Sequence, residues 1–292
     1  MAMPRVGLRD GWRPWPGSVV CRCCRRTRNS LSMIRSFTDR ARNRVRRFVV
    51  GHLTAPRPLA VPSSKLRFHV HSAIEAMRVG GIREPWTVAW LQGLPPGTCL
   101  YDIGANIGIT ALLAAERADR SVRVVAIEPF PANFASLVKN IVLNGLGDEV
   151  TPLAVGIGPE TGIKSYNWAN AEAGGALHSF GDIVRPRTGE RVEPVSRHGV
   201  LCYRLDDLVA LPGLRFPTHF KIDVDGGELE VLAGAERTLA DPRCQALQIE
   251  VNERGDDRRR LVCDVMARAG LSFTAEHAHG YPGIWDMQFA RH

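Results

Sequence analysis

Carboxylates in this 292-residue chain cluster where the backbone must turn. Asp102-Ile103-Gly104-Ala105-Asn106-Ile107-Gly108 sets an acid at the end of an apolar run and two glycines directly after it. Such glycines permit tight backbone geometry and let a ligand approach the main chain, and a helix starting at the turn offers free amides to an anionic group. Glu128-Pro129 closes the next apolar run, 24 residues after Gly104. An acid there can accept hydrogen bonds from both hydroxyls of a ribose. Lys221, Asp223 and Asp225 alternate along a third run ending at Gly226, so their side chains start on one strand face.

Two kinds of nucleoside cofactor compete for the first turn. A dinucleotide wants G-x-G-x-x-G, with its pyrophosphate on the helix terminus. Here Asn106 stands where the second glycine would fall, and Asp102 would repel a pyrophosphate in a low-dielectric crevice. S-adenosylmethionine suits the acid better, because its ammonium and sulfonium are cationic and its one carboxylate can meet backbone amides. Glu128 serves either nucleoside.

The elements that must hold these residues alternate in type. Pro85 can open a helix that ends before Pro95-Pro96-Gly97, and a strand from Cys99 leads into the glycine turn and a helix through Leu112, Leu113 and Ala115. Val122–Ile127 reads as a buried strand, and Phe134, Leu137, Val138 and Ile141 give the helix starting at Pro131 its apolar face. Val150–Val155 is a third strand. Residues 156–200 break the rhythm, rich in Gly and polar residues, and read as an insertion of short antiparallel pieces. Alternation then resumes with a strand Phe220–Val224, a helix from Glu228 to about Ala240, a strand Ala246–Val251, a helix around Leu261–Ala269 and two closing strands. This order means a parallel sheet with helices on both faces, whose ligands bind at the carboxyl ends of the strands.

Asp102 to Gly108, Glu128-Pro129, Leu205-Asp206-Asp207-Leu208 and Phe220-Lys-Ile-Asp-Val-Asp-Gly-Gly-Glu-Leu-Glu-Val-Leu232, followed by Ile249-Glu250-Val251, resemble the FkbM-type methyltransferases in order and spacing. The resemblance covers about residues 80–290. It implies a class I methyltransferase fold: a Rossmann-like three-layer α/β sandwich on a seven-stranded, mainly parallel sheet whose last strand is antiparallel. It also implies S-adenosylmethionine as cofactor, held by Asp102, Gly104, Ala105, Asn106, Gly108, Glu128 and Pro129. The implied reaction is methylation of oxygen on a small molecule, a sugar or a polyketide-type natural product.

Methyl transfer to a hydroxyl needs in-line alignment, worth about 7–11 kcal/mol, and removal of a proton, worth about 10²–10⁴-fold. Asp223 is expected to orient or deprotonate the acceptor, with Asp225 assisting; the family usually has Glu at 225, so the shorter acid changes the reach. Lys221, deeper in the strand, needs a partner, and Asp206 or Asp207 is the expected one. The competing reading makes Lys221 and one Asp a structural ion pair. No resident metal is expected: the acids after Asp223 lack the calcium-loop ending, and the pairs His69/His71 and His277/His279 have no Cys beside them, although a Mg²⁺ among the acids is the alternative. Trp168, Phe180 and Tyr203 either line an acceptor pocket or simply pack.

Charge divides the chain. Residues 1–50 hold thirteen Arg against Asp10 and Asp39, a net of +11, so the overall +8 leaves −3 for the rest. A mildly acidic body argues against a nucleic-acid-binding core, and no apolar run approaches the roughly 18 residues that span a bilayer. Residues 1–65 are expected to form a disordered basic extension and linker, with 66–292 the catalytic domain. The Arg-rich part reads as an extension translated from upstream of Met33, a transit peptide or an anionic-surface anchor, and not as a secretory signal. Seven scattered cysteines argue against a disulfide framework, so a reducing cytoplasm is the expected compartment. The competing functions are a methyltransferase-like binding module and a nicotinamide-dependent oxidoreductase. Acceptor specificity is expected in residues 156–200 and the segment before the core.

Overall fold

The computed structural model describes residues 55–292 except 62, 82–83, 118, 186–187, 253–256 and 280–282. The Arg-rich segment 1–50, with Cys21, Cys23 and Cys24, lies outside the described residues. The folded body opens with an antiparallel ribbon of β1 (Arg57–Pro58) and β2 (Arg67–Phe68). Leu59 and Val61, within the stretch read as linker, are buried in one core cluster with Leu91 and Leu112. α1 (Ala73–Val79) carries a capping box: Ser72 Oγ accepts from the Glu75 backbone N–H, and the Glu75 carboxylate accepts from the Ser72 N–H. α2 (Pro85–Gln92) starts at the proline, whose missing N–H costs nothing in a first turn.

The alternating half follows the expected order: β3 (Cys99–Ile103), α3 (Ile109–Ala115), β4 (Arg123–Ile127), α4 (Pro131–Leu143) and β5 (Val150–Leu153). The insertion then contributes β6 (Gly156–Ile157), β7 (Gly162–Trp168), β8 (Ile183–Val184), β9 (Arg191–Val192) and β10 (Ser196–Tyr203). β7 and β10 pair antiparallel, as do β8 and β9, while β6 lies parallel to β10. After α5 (Leu205–Leu208) come β11 (His219–Ile222), α6 (Glu228–Ala233), α7 (Glu236–Ala240), β12 (Ala246–Asn252), α8 (Arg258–Arg268), β13 (Ser272–Ala278) and β14 (Ile284–Ala290).

The main sheet has seven strands in the order β13-β14-β12-β11-β3-β4-β5. β12, β11, β3, β4 and β5 run parallel, and β14 is antiparallel to both its neighbours. This is the class I methyltransferase arrangement. The chain winds from β3 to one edge, then returns to place β11 on the other side of β3. That reversal opens a crevice at the carboxyl ends of β3 and β11, where ligands of such sheets bind. Alternation puts Tyr101, Ile103, Phe220 and Ile249 in one core layer, and Leu100, Val124 and Ala126 in the other, against Leu112 of α3.

One expected helix is two. The apolar spacing from Glu228 to Ala240 is broken at Gly234, because the backbone of the insertion passes against it. A Cβ on Gly234 would lie 2.1 Å from the Gly158 carbonyl oxygen. The Gly234 carbonyl accepts the Asp206 N–H at 3.0 Å. The Asp206 carboxylate in turn accepts from the backbone N–H groups of Arg237 (3.2 Å) and Thr238 (2.8 Å), starting α7 afresh. Asp206 is therefore spent on a helix end and is not the partner of Lys221, as the sequence suggested.

Candidate active site

The glycine turn is pinned to its neighbours by main-chain bonds. The Ile127 carbonyl accepts from both Gly104 (3.0 Å) and Ala105 (2.9 Å), and the Asp223 N–H reaches the Ile103 carbonyl at 3.0 Å. Gly104, at φ +90°, passes so near β11 that a Cβ would lie 1.8 Å from the Asp223 carbonyl oxygen. A side chain there would drive the two strand ends apart. Gly108, at φ +93°, begins α3, and its missing Cβ makes room for Leu137.

Glu128 is buried at the end of β4. One carboxylate oxygen accepts the Asn106 N–H and the other the Phe130 N–H, both at 2.8 Å. Burial pushes its carboxyl up to about 7 against the pull of these two bonds, and the Asp225 charge adds to the rise. Asp102 is 2% exposed at the end of β3, and its Oδ2 has no hydrogen-bond partner among the described residues. Burial again comes first in raising it to about 7, with Lys221 pulling down and Asp223 pushing up.

Two cavities flank this ridge. The first, about 490 Å³, is walled by Ile127, Glu128, Pro129, Val155, Phe180 and Asp225 among others. The second, about 740 Å³, is walled by Glu84, Thr87, Leu113, Leu177, Glu250 and His279 among others. Arg78, Gly104, Asn106 and Asp223 belong to the walls of both. Residues 173–177 border both, Gly175 in the wall of the first and Ala176 and Leu177 in that of the second. Ser72 Oγ donates to the Ala173 carbonyl, Asn106 Nδ2 to the Gly175 carbonyl, and the Leu177 N–H to Asp225 Oδ2 at 2.7 Å. Asp225 takes φ +57° to reach that bond.

Lys221 is 2% exposed, and its Nζ lies 3.2 Å from Asp223 Oδ2. Burial would lower the ammonium, but the charges of Asp223, Glu84, Asp286 and Glu250 outweigh it and raise the group well above its ordinary value. Lys221 belongs to neither cavity wall; it stands behind Asp223 and fixes that carboxylate. Of the expected catalytic three, Asp223 alone faces both cavities, and Asp225 faces the first.

Glu84 enters the site unannounced by the sequence, joined by Glu250 from the Ile249-Glu250-Val251 element and by His279, weighed earlier only as half of a metal pair. His279 Nε2 lies 3.1 Å from Glu84 Oε1, an approach that raises the imidazole. Burial would raise Glu84, yet the His279 bond and the Lys221 charge hold it at about 2. Glu250 is pushed well above the usual carboxylate range by burial and by Asp223. The other expected histidine partners are packed: His69 stacks on His71 at 5.8 Å, and His277 on Trp86 at 5.1 Å. Phe180 lines the first cavity, while Trp168 packs edge-on against Phe130 and Tyr203 packs on the core.

Glu228 shapes the loop after β11. It is buried, and its Oε1 accepts the Gly226 N–H at 2.8 Å. Burial raises its carboxyl to about 7, so the folded protein binds this proton more tightly than the unfolded chain. The resulting destabilisation is absent below pH 4.5, grows between pH 4.5 and about 7, and is constant above that. Glu228→Gln, which keeps the accepting oxygen, should therefore match the wild type at pH 4 and exceed it at pH 8 by up to about 3 kcal/mol. Thermal melts at the two pH values check this; a variant equally weakened at both would sink it.

Similarity to known proteins was found over the same residues. The family described as Methyltransferase FkbM domain matches residues 102–281. The hexuronic acid methyltransferase AglP of Haloferax volcanii is 26% identical over 219 residues, covering 73% of this chain and 82% of that protein. The 31-O-demethyl-FK506 methyltransferase FkbM of Streptomyces tacrolimicus is 32% identical over 184 residues, 55% of this chain and 67% of that protein. The AMB antimetabolite synthetase AmbE of Pseudomonas aeruginosa is 29% identical over 211 residues, which are 61% of this chain but only 10% of that much longer protein.

Proposed function

The chain belongs to the FkbM family of methyltransferases, and from that premise we propose that it transfers a methyl group from S-adenosylmethionine to a hydroxyl of a small molecule, a sugar or a polyketide-type natural product. The observation that carries this reading is the pair of cavities with a common wall at Gly104, Asn106 and Asp223. A donor and an acceptor lodged in the two would meet at that wall.

The residues present fit the cofactor. Each Glu128 oxygen keeps a lone pair beyond its backbone bond, enough to accept one ribose hydroxyl apiece. Ile127, Val155 and Phe180 offer apolar surface to a base. The unpartnered Asp102 oxygen and the Asp223 carboxylate supply negative potential behind the glycine turn, where a cationic amino acid end belongs. When bound, the cofactor supplies an electrophilic methyl on a sulfonium.

The chain's own contribution is position and proton handling. Asp223 accepts the proton as the acceptor oxygen bonds to carbon, and Lys221, 3.2 Å away, orients it. Glu84, ionised and braced by His279, accepts a hydrogen bond from a further hydroxyl, and Glu250 stands beside it. Every one of these groups suits a neutral, hydroxyl-bearing acceptor. No helix among the described residues is long and apolar enough to cross a membrane, and the described cysteines Cys99, Cys202, Cys244 and Cys263 are free, which supports a reducing compartment such as the cytoplasm.

Calorimetry tests the first half of the proposal. S-adenosylhomocysteine should bind with micromolar or tighter affinity, and NADH should not compete. Tight NADH binding would instead favour an oxidoreductase. Binding without methyl release, across a screen of hydroxylated acceptors, would favour a binding module.

A further inference from the structure

Cations are scarce at the two cavities, and nearly all are already committed. Lys164 is bridged to Glu160, Arg185 lies 3.5 Å from Glu190, and Arg258 donates to the Gly226 carbonyl at 3.0 Å. Arg78 differs. It ends α1, outside the residues matched by the family, and its Nε donates to the Gly174 carbonyl. No carboxylate among the described residues forms an ion pair with it, although it belongs to the walls of both cavities.

The bond to Gly174 uses one of five guanidinium donors and leaves the terminal nitrogens available for a planar, bidentate partner. A half-buried cation held in place with no ion-pair partner among the described residues can receive an anion. Asp223 and Glu128, in the same walls, repel most anions, so the occupant must bring positive charge as well. A zwitterionic amino acid satisfies both conditions, with its carboxylate on Arg78 and its ammonium toward the acids.

We propose that Arg78 clamps the amino acid carboxylate of the S-adenosyl cofactor. The assignment rests on the cofactor reading above and adds a residue from the segment before the core. It also gives that segment a purpose: the capped helix α1 delivers a guanidinium to the ridge between the cavities. Through Gly174, the same side chain ties cofactor occupancy to the 173–177 crossing.

A double comparison tests the clamp. Binding of S-adenosylhomocysteine and of its decarboxylated analogue, 5′-(3-aminopropylthio)-5′-deoxyadenosine, is measured by calorimetry on the full chain and on Arg78→Met. The analogue keeps the nucleoside, thioether and ammonium and lacks only the carboxylate. The variant should lose about 10–100-fold in affinity for S-adenosylhomocysteine, the worth of a charge-assisted hydrogen-bonded pair, and almost none for the analogue. Equal losses for both ligands would mean that Arg78 only supports the crossing segment, and no loss for either would mean that it touches neither; both overturn the clamp. A wild-type protein that binds neither nucleoside overturns the cofactor reading itself, which separates the two failures.

Discussion

Asp223→Asn is expected to lower kcat for a hydroxyl acceptor by about 10²–10⁴, the range that a positioned general base contributes. Asparagine keeps the shape and one accepting oxygen, so Lys221 Nζ retains a partner at the place it now occupies 3.2 Å from Asp223. Lys221 also keeps the fields of Glu84, Asp286 and Glu250, so the buried ammonium is not orphaned and the fold holds. Affinity for S-adenosylhomocysteine should fall by no more than about tenfold, about 1.4 kcal/mol, because Asp102 and Glu128 still face its ammonium. The comparison that decides is between acceptor types. A carboxylic acid acceptor arrives ionised and needs no base, so its turnover should be nearly indifferent to the substitution. Unchanged turnover of a hydroxyl acceptor would remove Asp223 from the chemistry and leave it as the counter-ion of Lys221.

Much of this site is legible in the sequence because its main parts are local. Asp102 to Gly108, Glu128 and Asp223 each follow an apolar run directly, and sheet geometry brings the ends of adjacent parallel strands together. The order of the seven strands is less local: alternation alone gives a parallel sheet, the family resemblance supplies the strand count and the antiparallel last strand, and the order β13-β14-β12-β11-β3-β4-β5 comes from the structure. Lys221 shows where local reasoning misses. Two acids at 206–207 and two at 223–225 were available, and depth in the strand pointed to the distant pair. The structure bends the near one back, two residues along the same strand face, because Asp206 is taken by the start of α7.

Glu84 and His279 were out of reach for a different reason. They lie 195 residues apart, one just ahead of a helix and the other after β13, and nothing in the sequence pairs them. Arg78 looks like any basic residue closing a helix, which favours cations at that end without further purpose. Only the packing of α1 against the 173–177 crossing gives it a neighbourhood. The same crossing explains the glycines at 174 and 175. A Cβ on Gly174, which sits at φ +82°, would press to 3.1 Å from the Glu75 nitrogen, within the capping box of α1. Thus part of the Gly-rich stretch that read as an insertion is fitted against α1.

Lys221→Met is expected to be the most damaging single change to stability. The methionine fills a similar volume and removes the one buried ammonium from a setting where Asp223, Glu84, Asp286 and Glu250 all contribute to its charge balance. Breaking a buried pair by deleting one partner costs about 3–5 kcal/mol, and for a body of this size each kcal/mol moves Tm by about 2–4 °C, so a fall of roughly 6–20 °C should be seen. The sign of its pH dependence follows from what remains. Without the ammonium, the carboxyls ionise at higher pH in the folded state than in the unfolded chain, so their cost is absent in acid and grows as pH rises. The gap in Tm between variant and wild type should therefore be small at pH 5 and widest at pH 8. Lys221→Arg, which keeps the charge, should recover part of the loss at pH 8. A gap that is constant with pH would show that Lys221 acts by packing, and that the carboxylates around it do not depend on its charge. Such a result would also weaken the case for Asp223 as a base, since Lys221 is what aims that carboxylate.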